Sequence, residues 1–292
     1  MLKTLVKVKQ ETEAEQLKQA FVKVMVEISQ IIPETPTLEN IAIFEPSIEH
    51  LKVATDNLIE WLDDDDLIWA FVGVARFYEG QGQYSSAETY RKNCLEAVQS
   101  RLRENHPGVA TSLNNLAESY RSQGKYKEAE PLYLQALELY KQLLGENHPG
   151  VATSLNNLAV LYRSQGRYEE AESLRLKCLE IEKQTLGQEH PQFATSLDNL
   201  AALYHSQGKY EEAEPLYLQV LELRKRLLGE NHPDVADSLN GLAGLYDSQG
   251  RYEEAESLYL QALELRKRLL GENHPDVADS LNGLAALYHS QG

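Results

Sequence analysis

Five histidines, each followed by proline, are the residues of this sequence best placed to suggest chemistry: His106, His148, His190, His232 and His274. A metal site needs three or four donors that converge, commonly paired at a short spacing such as i and i+4 on one helix face. These histidines stand 42 residues apart, with no second histidine or carboxylate at that spacing. They read as loop or N-terminal capping elements, and no metal is expected. The two cysteines, Cys94 and Cys178, share the register of Ala136, Val220 and Ala262, a small packed slot. Neither a disulfide framework, a zinc site nor a reactive thiol follows from them. His205 and His289 are isolated. No Gly-rich phosphate loop and no Ser/His/Asp arrangement stands apart from the periodicity, so no enzyme and no cofactor are expected. The run from Asp63 to Asp66 reads as a solvated helix start, where negative charge suits the helix dipole, with a cation site as the alternative.

The bulk numbers narrow the partner class. Net charge is −17 and the isoelectric point is near 4.9, which argues against phosphate-neutralising nucleic-acid binding and against an anionic membrane. With 42% hydrophobic residues, 25% charged and a mean hydropathy of −0.46, no apolar run approaches the roughly 18 residues of a membrane span. No signal-peptide pattern is present, and a cytoplasmic location is the expectation.

The elements that position these residues are set by an internal repeat. The His-Pro pairs, then Gly124, Gly166, Gly208, Gly250 and Gly292, then Tyr126, Tyr168, Tyr210 and Tyr252 all keep the 42-residue period. One period earlier the His-Pro is lost, but Tyr78, Gly82, Tyr84 and Ala87 hold their places. The reading is therefore a degenerate first repeat at 64–105, full repeats at 106–147, 148–189, 190–231 and 232–273, and half a repeat at 274–292. Each unit reads as two helices. In helix A, Leu113, Leu116, Ala117 and Tyr120 form one apolar stripe. Pro107 suits the helix start and Gly124 its left-handed end. Helix B runs from about Tyr126 to Leu144, with a stripe of Ala129, Leu132, Tyr133, Ala136, Leu137, Leu143 and Leu144. Neither helix hides its stripe alone; stacking on the next unit does.

The pattern Leu113, Leu116, Ala117, Tyr120, Gly124, Tyr126 and Ala129, recurring in each full repeat, resembles the tetratricopeptide signature. The 42-residue length and the segment HPDVADSLNGLAGLYDSQGRYEEAESLYLQALELRKRLLGEN resemble the kinesin light chain class of these repeats, with similar arrays in bacterial proteins that have no motor. The resemblance covers about 64–292. It implies an all-α fold, a right-handed superhelical solenoid of tetratricopeptide helix pairs, preceded here by a non-repeat helical region at 1–63. It also implies a protein-binding scaffold. Within 1–63, Leu17, Phe21, Val24 and Ile28 share a face, predicting a helix over about 11–31. Pro33 and Pro36 break it, and a second helical stretch covers about 37–61, bent near Pro46. This region reads as a helical cap or the stub of an upstream domain. At the far end the helix carrying Leu281, Leu284, Ala285 and Tyr288 lacks its helix B. A partner, or self-association through the uncapped end, would cover it.

With Leu113 as position 4 and Tyr120 as position 11, positions 2, 5, 6, 9, 12 and 13 face away from the packing stripe. The resemblance implies that this face lines a concave ligand groove. Segments 232–249 and 274–291 differ only at positions 9 and 12, as Gly244/Ala286 and Asp247/His289. Segments 106–123 and 148–165 differ only at Glu118/Val160 and Ser119/Leu161. Position 5 carries Asn114, Asn156, Asp198, Asn240 and Asn282, and position 6 carries Asn115, Asn157 and Asn199. Position 9 includes Glu118, Val160 and Ala202. Position 12 carries Arg121, Arg163, His205, Asp247 and His289. An asparagine side chain both donates and accepts, so it can clamp the amide of an extended peptide without reading its sequence. The resemblance assigns that role to Asn115, Asn157 and Asn199. The alternative is that these asparagines solvate a polar face or bond between helices. Gly241 and Gly283 replace them later, where the clamp should weaken. Arg121 and Arg163 sit mid-array while Asp237, Asp247 and Asp279 lie C-terminally, predicting that an acidic group of the ligand docks at the arginines. The leading expectation is a scaffold holding an extended peptide in the groove. The alternative is a sensor or autoinhibitory repeat arm of a larger nucleotide-binding signalling ATPase.

Overall fold

The computed structural model describes residues 2–272 and 274–290, with side chains from Thr12 onward. Gly292, the last of the periodic glycines, lies outside the described residues. Among them the chain forms α-helices and no strand, in two compact units, Met1–Gly145 and Glu146–Gly292. The first unit holds α1 (Leu2–Ile31), α2 (Leu38–Asn57), a short 3-10 turn (Ile59–Trp61), α3 (Leu67–Gly80), α4 (Tyr84–Leu102), α5 (Pro107–Ser122) and α6 (Tyr126–Leu144). The second holds α7 (Pro149–Ser164), α8 (Tyr168–Thr185), α9 (Pro191–Ser206), α10 (Tyr210–Leu228), α11 (Pro233–Ser248), α12 (Tyr252–Leu270) and α13 (Pro275–Ser290). From α3 on, odd helices are the A helices and even ones the B helices.

The repeated histidines are N-caps. Proline occupies the first helical position, and the imidazole Nδ1 accepts the backbone N–H two residues on. The distance is 3.0 Å at His106 and at His148, 3.1 Å at His190, and 3.2 Å at His232 and His274. Each cap satisfies one of the orphan donors of a helix start. His190→Ala is expected to cost about 1 kcal/mol. His190→Asn, which keeps a side-chain acceptor, should recover most of it; urea unfolding reads both. Each A helix from α5 to α11 ends one residue before a glutamine and a left-handed glycine, as at Gly166 with φ 74°. There the Arg167 N–H bonds back to the Tyr162 carbonyl at 2.9 Å.

The A helices are buried more widely than one stripe. Leu155, Leu158 and Ala159 are buried as expected, but so are Ser154 and Leu161. The reason is packing on two sides: α9, for example, contacts both α8 and α10. In α6, Tyr140 is buried while Leu144 is 37% exposed and Leu143 half-buried. Tyr140 meets Thr111 of the first turn of α5 at 2.7 Å, so the last residues of α6 run past the start of their partner.

Repeats are tied by a polar motif of the same period. Glu172 accepts from the Tyr204 hydroxyl at 3.1 Å and from Lys209 at 3.0 Å. Glu214 accepts from Tyr246 at 3.0 Å and from Arg251 at 2.9 Å. The cation lies over the ring of the same tyrosine, 3.6 Å from its centroid for Arg251 on Tyr246. Position 11 is thus packed on one side and hydrogen-bonded at its tip.

Residues 1–63 differ from expectation in two respects. The first helix begins at Leu2, and its predicted core face packs only in part: Leu17 is 71% and Val24 49% exposed, while Phe21 and Ile28 are half-buried. The opposite face, with Val22, Met25, Val26 and Ser29, is buried, and α1 packs on α3. Ser29 Oγ accepts the Gly73 N–H at 2.9 Å, and a Cβ added at Gly73 would lie 2.1 Å from that oxygen. The helical Gly73 is therefore what lets the two helices touch. The second helix stops at Asn57, with Pro46 inside it, and the remaining turn is 3-10. Within the acidic run, Asp64 pairs with Arg101 at 2.7 Å. No group of three or more His, Cys, Asp or Glu able to hold a metal occurs among the described residues. Cys94 and Cys178 are buried free thiols, and burial pushes them up to about 11 and about 12.

Candidate peptide-binding face

Helix geometry gathers positions 5, 6, 9 and 12 on one side of each A helix, and the second unit shows this three times over. Asn156, Asn157, Val160 and Arg163 on α7 are all half-buried, as are Asp198, Asn199, Ala202 and His205 on α9. On α11 the set is Asn240, Gly241, Gly244 and Asp247, also half-buried. In the first unit, α5 carries Asn114, buried, with Asn115 and Arg121 half-buried and Glu118 exposed.

The hydrogen bonds divide this face in two. Position 5 is a seam between helices. Asn156 Oδ1 accepts from Arg175 and, at 3.5 Å, from Asn199 Nδ2. Asp198 pairs with Arg224 at 3.1 Å, and Asn240 Nδ2 donates to Ser280 Oγ at 3.2 Å. Burial pushes the Asp198 carboxyl above its ordinary value, with Arg224 pulling the other way. For position 5, then, bonding between helices is the role the geometry displays.

Position 6 is different. The side chains of Asn115 and Asn157 make no hydrogen bond among the described residues, and Asn199 spends only one donor, on Asn156. Each retains an outward donor or acceptor. Gly241 and Gly283 lie close against tyrosine rings. A Cβ there would lie 2.9 Å from the Tyr217 ring and 2.6 Å from the Tyr259 ring. By register the ring facing Asn199 is replaced by the side chain of Arg175.

Two of the five charges expected along the face are neutralised from within. Arg121 donates Nε to Glu118 at 2.8 Å, and the same carboxylate accepts from the Tyr133 hydroxyl at 2.7 Å. Asp237 is paired with Arg266 at 2.6 Å. No carboxylate lies within ion-pair distance of Arg163 among the described residues. The two arginines expected to act together are thus unequal. His205 is tied to Ser248 Oγ at 2.8 Å and packs edge-on against Tyr217; burial lowers its pKa.

Four buried arginines of the B helices were not singled out from the sequence. Arg91, Arg175, Arg224 and Arg266 are 8%, 2%, 7% and 6% exposed. A signal was present, since each breaks the period. Arg91 and Arg175 stand in the register of Tyr133, Tyr217 and Tyr259, and Arg224 and Arg266 in that of Tyr140 and Glu182. The sequence reading took helix B to be apolar on its packing side and so named no partner there for position 5.

A family model for the tetratricopeptide repeat matches in overlapping copies at residues 66–142, 113–184, 150–226, 192–268 and 248–292. The chain belongs to the tetratricopeptide repeat family. Solved structures place this tetratricopeptide protein with the kinesin light chain type. It is similar to BtubC (BKLC) from P. vanneervenii, at 25% identity and a TM-score of 0.64 over 80% of this chain and 92% of that one. It is also similar to a putative kinesin light chain with nearly identical TPR-like repeats from Podosopora anserina, at 28% identity and a TM-score of 0.60 over 71% and 98%. NprR in complex with its cognate peptide NprX shares the fold, at 17% identity and a TM-score of 0.57 over 98% and 84%. No curated protein matches the chain. The tetratricopeptide fold is in general a protein-interaction scaffold, and no helix among the described residues is long and apolar enough to cross a membrane.

Proposed function

We propose that this tetratricopeptide protein holds an extended segment of a partner protein along positions 6, 9 and 12 of the A helices in its second unit. The observation that carries the reading is the pair Asn157 and Asn199. They sit one repeat apart on one face, with side-chain hydrogen-bonding capacity left over. Successive A helices about 10 Å apart would meet an extended chain, rising about 3.3 Å per residue, at roughly every third residue. Each asparagine could then take one main-chain amide, as donor and acceptor together. This is recognition by main chain, so affinity comes from the clamp and selectivity from positions 9 and 12. That NprR, of the same fold, is seen with a peptide supports the fold's capacity to hold one.

A photo-reactive residue placed at Ala202 on this face, and separately at the 45%-exposed Leu218 of α10, tests the reading. Irradiation in cell extract is expected to yield a defined adduct from position 202 and none of the same mass from position 218. Adducts only at 218 would move binding off this face.

A further inference from the structure

The most exposed apolar side chains lie outside the repeats, on the α1/α2 hairpin. Leu38 is 83%, Leu17 71%, Ile31 67% and Ile43 60% exposed, whereas beyond the hairpin no large hydrophobic among the described residues exceeds 48%. One exposed leucine needs no explanation, but several in one place mark a contact surface. Leu17, Val24 and Ile31 stand seven residues apart, two helical turns, and so share one side of α1. Ile43, Pro46, His50 and Val53 follow i, i+3, i+7, i+10 spacing on α2 and are exposed as well.

Packing sets these two rows side by side. A short connection at 32–37 joins the helices, and Phe21 meets His50 edge-on with ring centroids 6.2 Å apart. The helices therefore run antiparallel, with residue 21 beside residue 50. Both pack on α3. Val22, Met25, Val26 and Ser29 are the buried side of α1, and Ile41, Ile48 and Thr55 that of α2. The exposed rows lie on the reverse side of each helix, next to the half-buried Phe21 and Ile28. Together they make a shallow apolar groove between two helices, open to solvent. From Leu17 to Ile31 it runs about 21 Å, the length of a helix of roughly four turns.

The rim of the groove is acidic, and this decides what fits it. Glu27 stands three residues from Val24 and four from Ile31, and Glu39 four from Ile43; both are exposed, with no ion pair among the described residues. Residues 12–57 carry eight carboxylates against three lysines. Those lysines are engaged elsewhere. Lys18 lies 5.0 Å over the Trp61 ring, Lys52 pairs with Glu49 at 2.9 Å, and Lys23 lines a separate cavity with Trp61, Asp63 and Asp66. A second copy of this chain would bring glutamates against glutamates, which charge disfavours. We infer that the groove docks an amphipathic helix of a partner protein, with a stripe of leucine, isoleucine or valine and with lysine or arginine along its flanks. This surface is separate from the peptide-binding face proposed above. It lies in the first unit, and it takes the side chains of a helix rather than the main chain of an extended segment.

The test uses the full chain, carbon-13 labelled at isoleucine, leucine and valine methyls, and three synthetic peptides of about eighteen residues. One has leucines at i, i+3, i+4, i+7 spacing with lysine flanks. The second keeps that stripe with glutamate flanks, and the third scrambles the lysine peptide so that the stripe is lost. Fluorescence anisotropy of the dye-labelled peptides gives the affinities. The lysine-flanked peptide is expected to bind at least about tenfold more tightly than either of the others. It should shift the methyls of Leu17, Val24, Ile31 and Ile43 and leave that of Val160 in place. Leu17→Ser combined with Ile31→Ser alters only exposed positions, so it should keep the urea midpoint of the parent and weaken binding at least about tenfold. Glu27→Lys combined with Glu39→Lys should reverse the order of the lysine and glutamate peptides. Equal binding of the scrambled peptide, silent methyls on the hairpin, or an order unchanged by the charge reversal would overturn the inference. So would a dimer in sedimentation that dissociates in the double serine variant, which would give the groove to a second copy of the chain.

Discussion

Asp198→Ala is expected to destabilise the second unit by about 3 kcal/mol. The substitution strips the carboxylate from Arg224, which is 7% exposed and would keep only Ser238 Oγ at 2.8 Å and the Asp234 carbonyl at 3.3 Å. A buried charge left without its partner costs more than the pair contributes, because the guanidinium has no water to return to. Two controls separate this from lost packing. Asp198→Asn keeps an acceptor, and position 5 is asparagine at Asn114, Asn156, Asn240 and Asn282, so it should cost clearly less. Arg224→Met combined with Asp198→Ala removes both charges and should recover most of the loss. Urea unfolding reads the midpoints. Equal costs for the alanine and asparagine variants would mean that the seam does not depend on the ion pair.

Asn157→Ala combined with Asn199→Ala is expected to do the opposite: little to stability and much to binding. Asn157 makes no side-chain hydrogen bond among the described residues and Asn199 makes one at 3.5 Å, so the pair should unfold within about 0.5 kcal/mol of the parent. Each lost clamp on a main-chain amide removes about 1 to 1.5 kcal/mol of binding, so affinity for a captured peptide should fall roughly a hundredfold. Titration calorimetry with the captured peptide checks it. The contrast between Asp198 and Asn199, adjacent in sequence, follows from the division of the face into a structural seam and an open row.

The repeat made the helix pairs legible, and with them the caps. His-Pro at a fixed spacing marks a helix start, and a glycine after Ser-Gln marks its end, because each device is local and acts within a few residues. What the sequence concealed was set by neighbours. Leu17 and Val24 lie on a proper apolar face of α1, yet the face that packs is the one where Ser29 meets Gly73, a contact 44 residues apart in sequence. Arg121 and Arg163 look alike in register and differ in the structure because position 9 is Glu118 in one repeat and Val160 in the next. Arg175 was the most informative residue missed. Its signal was a break in the tyrosine register, visible only once helix B is read for its exceptions as closely as helix A. Gly241 and Gly283 lie against tyrosine rings that an added side chain would have to displace, which the register alone does not reveal.

The central claim is recognition of an extended peptide through its main chain by the position-6 asparagines. A backbone N-methyl scan of a captured peptide tests it most directly, with a parallel scan of its side chains to alanine. Methylating the amides that face Asn157 and Asn199 is predicted to abolish binding, at positions about three residues apart, while most alanine replacements are tolerated. Uniform tolerance of N-methylation, with binding lost instead on side-chain removal, would contradict the account.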